Sequence, residues 1–270
     1  MRCFTRRKEI HCGKNYLEID VYPYTERQGD AVKKRRGKRQ RVTSPKQRNL
    51  NDKNARRYLT QLANTNFDES GYHITATYSP KYLPQSIEDA GREIRNYLRR
   101  VEERRKKAGL EPLKYILVTE CKTDKGGEKP VRIHHHILMN GGLPRETLES
   151  IWSRPRRKGQ KQGERLGFIN ADKLQPQDNG LEALCAYLTK NPNGKKRWSS
   201  SKNLEHPWFT TNDSEFSRRK VEKIAKAPPD GSIWEKRYHG FRVVDYKAEF
   251  NEITGWSLSV KMRKIAEGGL

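Results

Sequence analysis

Cysteine is scarce in this 270-residue chain, where Cys3, Cys12, Cys121 and Cys185 stand far apart. No C-x-x-C pair occurs, which excludes a disulfide framework and a cysteine zinc site. No apolar run approaches the ~18 residues of a membrane-spanning helix. The opening MRCFTRRKEIHC also lacks the apolar stretch of a secretory leader. A protein without a membrane, working inside a cell, is therefore expected. There is no G-x-x-x-x-G-K-[ST] phosphate loop, so this sequence is not expected to carry an ATP-driven motor. Internal repeats are lacking as well. The last shortage is of acid: 33 Asp and Glu face 57 Lys and Arg, for a net charge of +24. That balance makes a polyanion, DNA or RNA, the expected partner.

What is present reads as a folded core with very polar extensions, since 33% of the residues are hydrophobic and 33% charged. Residues 1–60 hold 18 Lys and Arg against 6 Asp and Glu, half of the net charge in under a quarter of the length. Within them KNYLEIDVYPY alternates like a strand, and the stretch from Ser44 to Phe67 reads as a helix capped by Ser44. Between these lies KKRRGKRQR, which has no periodicity. Its Lys33, Lys34, Arg35, Arg36, Lys38, Arg39 and Arg41 are expected to contact phosphates from a solvated loop. A second basic loop, KKRWSSSKNL, adds Lys195, Lys196 and Arg197.

The middle of the chain has clearer signals. YHITATYSP alternates as a strand, and a helix follows with Ser86 as N-cap and Gly109 as its stop. LKYILVTEC and VRIHHHILMNGG are β-rich runs joined by a polar turn around Gly126 and Gly127, which makes a hairpin. Then come a short helix in LPRETLESIWS, a strand in LGFINADKL and a helix in NGLEALCAYLTKN with a Leu181, Leu184, Leu188 stripe. Beyond residue 192 a helix and a hairpin are expected, in a tail that packs on the main sheet or forms its own lobe. The division is thus a basic N-terminal segment at 1–66, a core at 67–192 and a C-terminal extension at 193–270.

The histidine triplet raises the chemical question. Side chains alternate faces along a strand, so His134 and His136 point one way and His135 the other. A hairpin centred on Gly127 places Glu120 opposite His134, on the face that carries both histidines. Two imidazoles and a carboxylate leave positions open on a divalent ion, which suits a catalytic site. Tyr187 and Lys190 lie three apart in the later helix, at the edge of its apolar stripe. A phenolate attacking a phosphodiester gives a covalent phosphotyrosine that a free 3′-OH can reverse without ATP. Lys190 would favour the phenolate or pair with a phosphate oxygen. Tyr97 repeats the Tyr-x-x-basic spacing but precedes the histidine strand, in a helix read as scaffold.

A strand HITATY, a strand ending in Glu120, a strand with His134-His135-His136 and a helix with AYLTK, in that order over about residues 70–192, resemble the HUH endonuclease superfamily. The likeness is to the single-tyrosine rolling-circle replication initiators of bacterial plasmids, mobile elements and small single-stranded DNA phages. It implies an α+β fold, an RRM-like antiparallel sheet with flanking helices. It also implies Mg²⁺ or Mn²⁺ at Glu120, His134 and His136, with Tyr187 as nucleophile and Lys190 beside it. The implied substrate is single-stranded or hairpin origin DNA, nicked in the cytoplasm of a bacterial host and unwound by a host helicase. The chain departs from the pattern at His135, usually hydrophobic in the family, and at Asn191, where two-tyrosine relatives carry a second Tyr. Two other readings stay open: a non-catalytic nucleic-acid binder, which leaves Glu120 unexplained, and a relaxase or transposase with the same chemistry.

Overall fold

A computed structural model describes residues 3–25, 44–122, 131–156, 158–160, 163–190 and 197–265. The turn around Gly126 and Gly127, the basic run from Lys33 to Arg41, Asn191, Lys195 and Lys196 lie outside the described residues. In chain order the elements begin with β1 (Cys3–Cys12), β2 (Tyr16–Thr25), α1 (Pro45–Asn66), β3 (Tyr72–Thr77) and α2 (Ile87–Lys107). The middle holds β4 (Tyr115–Lys122), β5 (Val131–Met139), α3 (Arg145–Ser150), β6 (Ile169–Lys173), α4 (Glu182–Leu188) and β7 (Ser199–Ser200). The chain ends with β8 (Trp208–Asn212), α5 (Arg218–Lys226), α6 (Ser232–Arg237), β9 (Phe241–Asn251) and β10 (Gly255–Lys264). No helix among the described residues is long and apolar enough to cross a membrane.

Two units share these elements. One comprises residues 66–176 and 183–205, and its sheet has the antiparallel order β6-β3-β5-β4-β7. Chain order β3-α2-β4-β5-α3-β6 with that strand order is the RRM-like arrangement the motifs led us to expect. Alternation selects the core face: Ile133, Ile137 and Met139 of β5 join Ile74 and Ala76 of β3 under α2. The stripe Ala90, Ile94, Tyr97, Leu98 and Val101 closes that core from the helix side, with Leu148 and Trp152 beside it. The Ser86 side chain accepts from the Asp89 backbone N–H at 3.1 Å, as its N-cap role requires. Gly109 ends α2 at φ +66°, a left-handed conformation that costs glycine nothing and other residues a Cβ clash. Tyr97 is fully buried and donates to the Leu148 carbonyl at 3.2 Å, which fits the scaffold reading.

His135 belongs to this core. Its ring nitrogens meet the Tyr78 hydroxyl at 2.8 Å and the Thr119 hydroxyl at 2.9 Å. Burial pushes its pKa down to about 3, so the ring is neutral and carries one N–H, donating to one hydroxyl and accepting from the other. The residue that departs from the family's hydrophobic habit is thus a polar core residue with both nitrogens satisfied. His135→Leu is expected to lower stability by about 1–3 kcal/mol, because two buried hydroxyls lose their partner. Thermal denaturation measures this, and Mn²⁺ binding by the folded variant should match that of the parent.

The other unit comprises residues 1–65, 177–182 and 206–270, with the antiparallel sheet order β8-β1-β2-β10-β9. Here the structure departs from the three-segment division: the N-terminal strands and the C-terminal extension form one sheet, with Ile19 paired to Val260. The physical cause is the apolar face of β2. Leu17, Ile19 and Val21 are buried with Leu258, Val260 and Met262 of β10 and with Val221 and Trp234 of α5 and α6. On the opposite face the buried Glu18 accepts from Arg57 and Gln61 of α1, each at 2.7 Å. Burying that carboxylate without these donors would cost several kcal/mol.

Candidate metal centre

Glu120 and His134 are directly opposed across β4 and β5, in the register expected from the hairpin. One ligand-type atom from each of Glu120, His134 and His136 lies within 4.8 Å of the others. Two adjacent strands of the sheet hold these three side chains, so the backbone ladder fixes their spacing. Glu120 and His134 are half-buried and His136 is buried.

Hydrogen bonds orient both rings. His134 Nδ1 lies 2.9 Å from the Arg132 carbonyl, which can only accept, so the proton sits on Nδ1. In the neutral ring this leaves the Nε2 lone pair 3.4 Å from Glu120 Oε2. Two electron-rich atoms that close are stabilised by a cation, either a metal ion or a proton on Nε2. Burial, with His73 and His134 as neighbours, lowers the His136 pKa to about 4, and its ring is neutral near pH 7. His136 Nε2 is buried with no hydrogen-bond partner. An orphaned imidazole nitrogen beside a carboxylate and a second imidazole fits a divalent ion, and these three residues could hold one.

His73 and Thr75 of β3 were not singled out by the sequence reading. His73 Nε2 and Thr75 Oγ1 each lie 3.2 Å from His136 Nδ1. A ligand role for His136 Nε2 needs the proton on Nδ1, and both neighbours can accept it; burial lowers the His73 pKa and keeps that ring neutral. Such outer contacts typically change metal affinity 10–100-fold. His73→Ala is accordingly expected to weaken Mn²⁺ binding about tenfold, and His73→Gln, which keeps an acceptor oxygen, to recover part of the loss. Titration calorimetry with Mn²⁺ measures both. Alternation alone puts His73 and Thr75 on one face; their closeness to His136 depends on β3 lying beside β5.

Tyr187 reaches the same place from α4. Its ring stands edge-on to His136 with centroids 5.4 Å apart, and it is 56% exposed. The α4 stripe differs from expectation at one position: Cys185 is buried with Leu188, and Leu184 is half-buried. Lys190 lies just past the helix, with its backbone N–H on the Tyr187 carbonyl at 3.2 Å and its side chain exposed. No contact joins its ammonium to the Tyr187 hydroxyl among the described residues. Arg197 is half-buried outside this cluster of four side chains. Sequence reading also passed over Phe168, which is 70% exposed and whose carbonyl accepts from the backbone N–H of Thr77, the residue paired with His134.

Residues 71–192 match the model of the family described as replication-associated protein ORF2. No curated protein and no solved structure matches the chain. The matched segment spans the strands from β3 to β6 and the helix that carries Tyr187. The part of the chain that brings Glu120, His134, His136 and Tyr187 together is a domain of the replication-associated protein ORF2 family, consistent with a rolling-circle replication initiator.

Proposed function

We propose that the protein is a metal-dependent DNA nicking and joining endonuclease that starts rolling-circle replication through a 5′-phosphotyrosine. The observation that carries this reading is the Tyr187 ring against His136, on the face where Glu120, His134 and His136 converge. A non-catalytic binder has no use for a carboxylate on a face that meets phosphate.

In this reading Tyr187 oxygen attacks the phosphorus of a single-stranded or hairpin origin. The new bond is phosphorus to Tyr187 oxygen, the broken bond is phosphorus to the 3′ oxygen, and the departing strand takes a proton to become a free 3′-OH. The phosphodiester energy is kept in the protein-DNA bond, so a 3′-OH can reverse the step. Mg²⁺ or Mn²⁺, held by Glu120, His134 and His136, would supply positive charge to a nonbridging phosphate oxygen. Lys190, exposed beyond the helix end, would add positive charge toward the phosphate, and Phe168 offers an exposed ring for a base to stack on. The basic runs at Lys33–Arg41 and Lys195–Arg197 would hold the DNA backbone. Unwinding would come from a host helicase, in a bacterial cytoplasm.

The deciding experiment incubates the protein with labelled single-stranded oligonucleotides covering the element's own origin, with and without Mn²⁺. A covalent protein-DNA adduct that needs the metal is the expected result. Cut DNA with no protein attached would mark a hydrolytic nuclease, and binding without cutting would mark a binder.

A further inference from the structure

On the helix-covered side of the RRM-like sheet, away from the face with Glu120 and His136, α2 and the segment after α3 enclose an open cavity of about 450 Å³. Arg100, Arg104 and Lys107 line it from α2, and Arg154 and Arg156 from a loop some fifty residues later. One acid, Glu103, reaches the wall, and Arg99 engages it at 3.1 Å. Arg100 is spent on the Ser153 carbonyl at 2.6 Å, and Arg154 on Glu93 at 2.8 Å. Arg104, Lys107 and Arg156 form no ion pair among the described residues. The helix dipole favours cations at the C-terminal turn of α2, which accounts for Arg104 and Lys107. It does not account for Arg154 and Arg156, which arrive from another element. Converging like charges repel, and an anion in the cavity removes that cost.

The ligand chemistry follows from the wall. Guanidinium groups bind phosphate oxygens in pairs, and no aromatic side chain lines the cavity to receive a base. The fit is to backbone phosphates, read without regard to sequence. We propose that this cavity is a second DNA contact, holding phosphates of the flanking DNA on the side of the unit opposite the metal face. The inference rests on the nicking reading for the identity of its polyanion.

The test compares the full-length parent with Arg104→Gln/Lys107→Gln/Arg156→Gln. These three side chains are exposed and make no bond that the fold uses, so folding is unaffected. Two DNAs are titrated over a range of salt: a short single-stranded oligonucleotide of the nick region, and the same sequence extended by a duplex arm. The parent should bind the extended DNA more tightly and with a steeper salt dependence. The triple variant should lose at least about tenfold in affinity for the extended DNA, with a salt slope shallower by about two to three units. Its affinity for the short oligonucleotide, and its rate of adduct formation there, should be those of the parent. Retention of the extended-DNA advantage overturns the inference. So does an equal loss on both DNAs, which marks diffuse charge and no seated phosphate. Absence of adduct from both proteins sinks the nicking reading alone, because the binding comparison is scored separately.

Discussion

Tyr187→Phe is expected to abolish the covalent protein-DNA adduct, a fall of at least about 10³-fold in nicking, while origin binding stays within a factor of a few. The substitution removes one oxygen and almost no volume, and the ring is half in solvent, so neither the packing of α4 nor the edge-on contact with His136 should change. Only the attacking atom is lost. That separates two chemistries: a nuclease using activated water would keep cutting in the Phe variant, whereas a transesterase has nothing to form the new phosphorus-oxygen bond. Mass spectrometry of the trapped parent adduct gives the attachment point. A nucleotide on any tyrosine other than Tyr187 would overturn the assignment and leave the enzyme class standing. Tyr97 is a poor candidate on physical grounds, since it is fully buried and its hydroxyl is committed to the Leu148 carbonyl. Lys190→Ala should slow the step without stopping it, because its charge tunes the reaction and does not make the bond.

Loss of the metal ligands is the second large effect. Glu120→Ala, His134→Ala and His136→Ala are each expected to remove cleavage, as EDTA should in the parent. Charge stabilisation by a divalent ion is worth several kcal/mol, and about 4 kcal/mol is a thousandfold in rate. DNA affinity should change little, since the basic surface supplies it. Calorimetry with Mn²⁺ keeps a folding defect apart from a binding defect: a variant that melts like the parent but takes up no Mn²⁺ has lost a ligand. Full cleavage in EDTA would sink the metal reading. His136→Ala also removes the ring that Tyr187 packs against, so its effect should be the largest of the three. The His135→Leu variant is the control, because its side chain enters the core on the other face of the sheet.

Much of the candidate site could be read along the chain because the chemistry there is local. His134 and His136 share a face through the two-residue alternation of one strand, and Glu120 faces His134 because a hairpin fixes register between neighbours in sequence. The stop at Gly109 and the cap at Ser86 are equally local, each resting on the conformational range or hydrogen bonding of one residue. The two-sheet division was not legible. Pairing β2 with β10 joins Ile19 to Val260 across most of the chain, and the apolar alternation of either strand says only that it needs a covering, not which strand supplies it. The same limit hid His73 and Thr75, which reach His136 only because β3 inserts beside β5. It hid the role of His135 as well, since the Tyr78 and Thr119 hydroxyls that satisfy it come from separate segments. By itself the sequence determined the elements, the facing of the histidines and the charge that calls for DNA, all set by neighbouring residues. Tertiary structure alone decided which strands adjoin and which buried nitrogens find partners, because those contacts arise only when distant segments bury their apolar faces together.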